Sequence, residues 1–89
     1  MSLLSGQITV TTAGTAVQGT DLPGGEFMLK AHPDNTDTVW VGNVSGDVAS
    51  SNGFPLNPGE TVVVRVSNLD ALWFDADVNG EKICWLRYE

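Results

Sequence analysis

Leu72-Trp-Phe-Asp-Ala-Asp-Val-Asn-Gly-Glu-Lys-Ile-Cys-Trp-Leu-Arg-Tyr88 holds two strand-length runs around Asn79-Gly80. Alternation with period two marks a strand with one buried face. Asn-Gly between two such runs predicts a β-hairpin, because both central positions of a type I′ turn take positive φ. A two-residue loop sets Val78 opposite Glu81, Asp77 opposite Lys82, Ala76 opposite Ile83, Phe74 opposite Trp85 and Trp73 opposite Leu86. One face then carries Leu72, Phe74, Ala76, Val78, Ile83 and Trp85, a core face. The other carries Trp73, Leu86 and Tyr88 at one end, with Cys84 and the Asp77–Lys82 pair at the other. An opposite-charge cross-strand pair contributes about 0.2–1 kcal/mol and acts mainly on register. The apolar end of the second face has no evident cover in so short a chain, which makes it a candidate contact surface.

Outward from this segment the chain reads the same way. Gln7–Thr12 alternates Ile8 and Val10 against Gln7, Thr9 and Thr11, and Thr15–Gln18 offers a short partner across the turn at Ala13-Gly14. Leu22-Pro-Gly-Gly25 is a turn, and Glu26–Ala31 alternates Phe27 and Leu29 against Met28 and Lys30. Thr38–Val44 is apolar on both faces (Val39 and Val41; Trp40 and Val44), as expected of a central strand or of a strand with an intersubunit contact. Thr61–Ser67 places Val62, Val64 and Val66 on one side. Helical spacing is missing, and ten glycines and four prolines interrupt the chain. The expectation is a single all-β domain, a small β-sandwich of jelly-roll type over residues 7–89, preceded by an N-terminal arm over residues 1–6.

Size and charge narrow the function. A chain of 89 residues buries only roughly 60–65% of the surface its unfolded form exposes, so small domains of this kind lean on disulfides, metals or partner subunits. Cys84 is the single cysteine and His32 the single histidine, which rules out an internal disulfide and a Cys/His zinc set. Oligomerisation or docking on a larger body remains. Eleven acids against four bases give a net charge of −7. Lys30, Arg65, Lys82 and Arg87 are scattered in sequence, so neither nucleic acid nor an anionic membrane is an expected partner. No apolar run, Val62–Val64 included, is long enough to span a bilayer. The start of the chain lacks the pattern of a signal peptide, pointing to synthesis in a cytoplasm.

The most distinctive stretch is Thr38-Val-Trp-Val-Gly42, followed by Ala49-Ser-Ser-Asn-Gly-Phe-Pro-Leu-Asn-Pro-Gly-Glu60. It reads as a strand, a shaped loop and the entry to the next strand. Phe54 and Leu56 are placed to plug the end of the sandwich, and Pro58-Gly59 supplies the corner. Together with the valine-rich strand and Leu69-Asp-Ala-Leu-Trp73, this pattern resembles small β-sandwich virion proteins of tailed bacteriophages. The resemblance covers roughly residues 37–86. It implies a structural role on the virion, foremost as a capsid decoration (cement) protein that binds the major capsid protein on the head surface and stabilises the shell. By the same analogy the protein is a homotrimer. The alternative is a head-fibre or tail module that binds a host receptor or a glycan.

Catalysis finds no motif. His32 beside Pro33 reads as a surface residue at a strand end, and Cys84 as a small apolar residue within a strand. Asp75 and Asp77 share a strand face about 7 Å apart, with Lys82 as the nearer partner. Asp34, Asn35 and Asp37 lack the spacing of a calcium loop. No catalytic, cofactor-binding or metal-binding residue is expected. The candidate capsid- or subunit-interface residues are Leu3, Leu4, Trp40, Phe54, Leu56, Trp73, Leu86 and Tyr88.

Overall fold

The computed structural model describes residues 3–43 and 53–88, the Tyr88 side chain excepted. Among the described residues eight strands form: β1 (Leu4–Val10), β2 (Val17–Gln18), β3 (Glu26–Ala31), β4 (Val39–Gly42), β5 (Phe54–Leu56), β6 (Thr61–Val64), β7 (Trp73–Ala76) and β8 (Glu81–Tyr88). They make two antiparallel four-stranded sheets, one in the order β1-β8-β3-β6 and the other in the order β2-β7-β4-β5. That is the strand order of a jelly roll, in which the chain passes back and forth between two facing sheets. The all-β sandwich expected from alternation is the fold.

Most inner faces are those the periodicity assigns, but Val78, placed on the core face, is 38% exposed, and β4, apolar on both sides, turns Val39 and Val41 inward. Phe27, Leu29 and Ala31 of β3 meet Val39 and Val41 of β4, Phe74 and Ala76 of β7, and Ile8, Val10 and Ile83 in one buried cluster. Val62, Val64 and Val66 pack against its rim, as the valine alternation predicts. The central position expected for the strand through Trp40 also holds, since β4 lies between β7 and β5. Val44 and Ala49–Asn52 lie outside the described residues, as do Met1 and Ser2.

Three expectations are corrected. The first concerns the C-terminal hairpin. β7 and β8 belong to different sheets, so the Asn79-Gly80 turn carries the chain across the sandwich rather than closing a hairpin. Gly80 does take positive φ, at 85°, but no residue other than glycine does among those described, so Asn79 is not in a type I′ turn. The side chain of Asn79 instead accepts a hydrogen bond from Ala13 N–H (2.7 Å), and Gly80 N–H donates to the Val10 carbonyl (2.8 Å). Leu72, Phe74, Ala76 and Ile83 are buried as assigned, yet they face one another across the core instead of sitting side by side. Asp77 and Lys82 therefore do not pair as neighbours in one ladder.

The second correction concerns the N-terminal arm. Leu4, Ser5 and Gly6 are strand residues, registered against Arg87, Leu86 and Trp85 of β8, so β1 begins three residues earlier than the alternation indicates. Long β8 offers those last positions as a template, and serine and glycine carry no apolar signal that would reveal the pairing. Third, the short run at Val17–Gln18 pairs with Phe74 and Trp73 of β7, not with β1.

The loop singled out by its sequence is a turn with a clear physical cause. Glu60 N–H donates to the Asn57 carbonyl (2.9 Å), Pro58 holds the first corner and Gly59 the second at φ 85°. The Glu60 carboxylate accepts from Asn57 N–H (2.8 Å), closing the turn on itself. Gly59 N–H and the Glu60 carbonyl bind the backbone of Ala31, fastening the corner to β3. Leu69-Asp-Ala71 forms one 3-10 turn, with the Asn68 side chain accepting from the N–H groups of Asp70 (2.9 Å) and Leu22 (3.0 Å). Leu69 and Leu72 thereby close one end of the core.

Candidate interaction surface

Alternation turns Met28, Lys30, Val63, Cys84 and Leu86 to the outside of the β1-β8-β3-β6 sheet, and register lines them into rows. Ser5, Leu86, Met28 and Val63 stand directly across from one another on successive strands. The next row is Gln7, Cys84, Lys30 and Thr61. Leu86, Met28 and Cys84 are half-buried and Val63 is 47% exposed, so an apolar strip crosses the face of the sheet. Cations rim it. Lys30 lies opposite Cys84, Lys82 opposite Thr9, and Arg65 reaches to 3.6 Å from Glu26 beyond the strip.

Among the described residues, Lys30, Lys82 and Arg65 therefore share this outer layer with one acid, Glu26, on a molecule of net charge −7. The basic residues that look scattered in the sequence converge on one face. Burial pushes the Cys84 thiol up, while the Lys30 and Lys82 ammonium groups beside it pull it back toward ionisation.

The expected interface residues do not form one patch. Leu86 is on the outer face just described, but Trp73 belongs to the other sheet and faces the opposite side of the domain. The joint Trp73/Leu86/Tyr88 face is thus corrected, since it depended on the hairpin. Trp40 and Trp73 are both half-buried and sit diagonally on the outer side of the β2-β7-β4-β5 sheet, with Trp40 opposite Asp75 and Trp73 opposite Gly42. Leu56 is in the core at 2% exposure and is not available to a partner, whereas Phe54 on edge strand β5 is 54% exposed. Leu3 and Leu4 are exposed at the start of β1. Tyr88 is registered opposite Glu26 at the end of β8. Met28, Val63 and the converging cations were missed, because strand register decides which residues share a row.

Several polar groups singled out by sequence have local structural duties. His32 Nδ1 accepts from Asp34 N–H (3.0 Å) in a turn. Asn35 binds both polar groups of the Lys82 backbone, donating to the carbonyl and accepting from the N–H at 2.8 Å each. Asp75 is buried and its carboxylate accepts from the N–H groups of Gly14 (3.0 Å) and Ala76 (2.8 Å). The Glu81 carboxylate, also buried, takes the Thr36 and Asp37 N–H groups at 2.9 and 3.0 Å. Among the described residues no three His, Cys, Asp or Glu side chains converge as a metal site would need.

No family model matches the chain, and none of the curated proteins does. Solved structures share its fold. Protein NMB1881 from Neisseria meningitidis superposes with a TM-score of 0.61 at 14% identity, over 98% of this chain and 74% of that one. A de novo designed double-stranded β-helix superposes with a TM-score of 0.51 at 14% identity, over the whole of both chains. At this identity the likeness is one of fold alone, that of two facing sheets wound as a jelly roll.

Proposed function

We propose that this protein is a non-enzymatic structural protein of a tailed-bacteriophage virion, a decoration protein that seats the outer face of its β1-β8-β3-β6 sheet on the major capsid protein. The observation that carries the reading is the apolar row of Leu86, Met28 and Val63 rimmed by Lys30, Lys82 and Arg65 on an otherwise acidic domain. Apolar side chains in the centre of a patch supply affinity, and a cationic rim supplies orientation toward an acidic partner. The phage assignment itself rests on the sequence pattern between residues 37 and 86. Each copy would tie neighbouring capsomers together, and many moderate contacts would add up over the shell.

Mixing purified protein with undecorated shells tests the reading. Binding on the order of hundreds of copies per shell is expected, and Leu86→Glu should weaken it at least about tenfold, a loss of roughly 1.4 kcal/mol. An unaffected Leu86→Glu protein would move the docking face elsewhere, and failure of the parent protein to bind any such shell would remove the decoration role. The second reading, a glycan-binding fibre or tail module, is favoured by the diagonal Trp40–Trp73 pair with Gly42 beside it, since aromatic faces stack on sugar rings. Trp73→Ala would then abolish binding to host-cell glycans while leaving shell binding intact.

A further inference from the structure

The four sheet edges are not protected alike. β2 is two residues long, β5 carries Pro55 at its centre, and β6 is a four-residue strand between Pro58 and Arg65. Shortness, proline and charge are the usual means of stopping an edge from pairing with another chain. β1 has none of them. Its seven residues, Leu4-Ser-Gly-Gln-Ile-Thr-Val10, contain neither a proline nor a charge, and Leu3 (64% exposed) and Leu4 extend its apolar end into solvent.

The hydrogen bonding of β8 shows which backbone groups β1 leaves open. The Lys82 N–H and carbonyl are both directed to the β3 side, where they bind Asn35 and His32. Backbone groups alternate sides along a strand, so Glu81, Ile83 and Trp85 turn theirs toward β1, to meet Val10, Ile8 and Gly6. The Val10 carbonyl is accordingly engaged by Gly80 N–H. Ser5, Gln7 and Thr9 therefore direct their N–H and carbonyl groups to the free edge, and all three residues are exposed.

We propose that β1 pairs antiparallel with the β1 strand of a second copy about a two-fold axis at Gln7, joining two domains through one continuous eight-stranded sheet. Gln7 is the midpoint of Leu4–Val10. Centring there sets Gln7 against Gln7, Ser5 against Thr9 and Gly6 against Ile8, so the residues that meet as hydrogen-bonding pairs are the ones whose polar groups face the edge. About six interstrand hydrogen bonds follow. Leu4 comes opposite Val10 of the other copy, which gives the exposed end an apolar neighbour. A second copy fits this edge because β1 is uncharged: two chains of net charge −7 meet there without opposing like charges. The pairing stands whether or not the protein sits on a capsid.

Sedimentation equilibrium of the intact protein tests it. A monomer–dimer equilibrium is expected. The Ser5→Lys/Gln7→Lys double variant should weaken dimerisation at least about tenfold, while its circular dichroism and its melting at low concentration stay as in the parent. Gln7→Pro should do the same, because the N–H it removes faces the edge and not β8. Mixing the double-lysine chain with a Ser5→Glu/Gln7→Glu chain should restore pairing as a heterodimer. A parent protein that stays monomeric at roughly 1 mM, a trimer, a dimer indifferent to the lysines, or a charge-complementary mixture that does not pair would each overturn the proposal.

Discussion

A β-carbon at Gly19 would run into the carbonyl oxygen of Leu69, a backbone atom held in the 3-10 turn that closes the core. Gly19 N–H also donates to the Leu72 carbonyl (2.9 Å), so neither strand can step aside without losing that bond. Gly19→Ala should cost about 1–3 kcal/mol, read as a fall in melting temperature. Gly80 differs in kind, for it has open space around it but φ at 85°. Gly80→Val should cost about 1–2 kcal/mol, and Gly80→Asn distinctly less, because asparagine tolerates the left-handed region. Equal losses from both would locate the cause in packing instead of backbone conformation. At Cys84 the raised thiol pKa leaves less thiolate at a given alkaline pH than a free cysteine has. Alkylation should therefore be slow at pH 8 and rise through a later midpoint, and Lys30→Ala should slow it further by removing a neighbouring positive charge. By linkage, the thiol favours the folded state fully below the unfolded pKa, and that contribution fades as pH climbs through the folded one.

Among the elements, β8 holds the domain together, pairing with both β1 and β3 along one sheet. Its first residue also anchors the long connection between β3 and β4, because the buried Glu81 carboxylate takes the Thr36 and Asp37 N–H groups while Asn35 binds Lys82. Glu81→Ala leaves those donors without their acceptor and should destabilise the protein by about 1–3 kcal/mol. Amide exchange at Thr36 and Asp37 should accelerate more than exchange in β3. Uniform acceleration across the sheet would show that Glu81 supports global stability instead of this loop. The β5–β6 corner needs no such clamp, since Asn57-Pro-Gly-Glu60 closes by its own turn chemistry and is legible from the sequence.

For the whole molecule, the decisive feature is an uneven charge distribution on a symmetrical fold. The outside of the β1-β8-β3-β6 sheet gathers Lys30, Lys82 and Arg65, with Glu26 the one acid among its described residues. If that face docks on an acidic shell, association should weaken as salt shortens the Debye length from about 10 Å at 0.1 M to about 3 Å at 1 M. Lys30→Glu/Lys82→Glu should reduce both the affinity and its salt dependence. Binding that is indifferent to salt and to these changes would leave the apolar row as the sole contact.

Period-two alternation determined, from the sequence alone, that the chain is all-β and which side of most strands is buried: Phe27 and Leu29, Phe74 and Ala76 all lie in the core as assigned. It also specified the Asn57–Glu60 corner, because proline and glycine act on φ locally. Tertiary structure alone decided which strands are neighbours. Ile83 and Phe74 show the same inward periodicity whether they lie side by side in a hairpin or face each other across two sheets, since alternation encodes a face and carries no information about the partner strand. Among the described residues only β4 and β5 are consecutive strands that share a sheet, so the nearest turn misleads about pairing. The same indifference hid Ser5 and Gly6 in a sheet and scattered three cations along a sequence that register brings to one face.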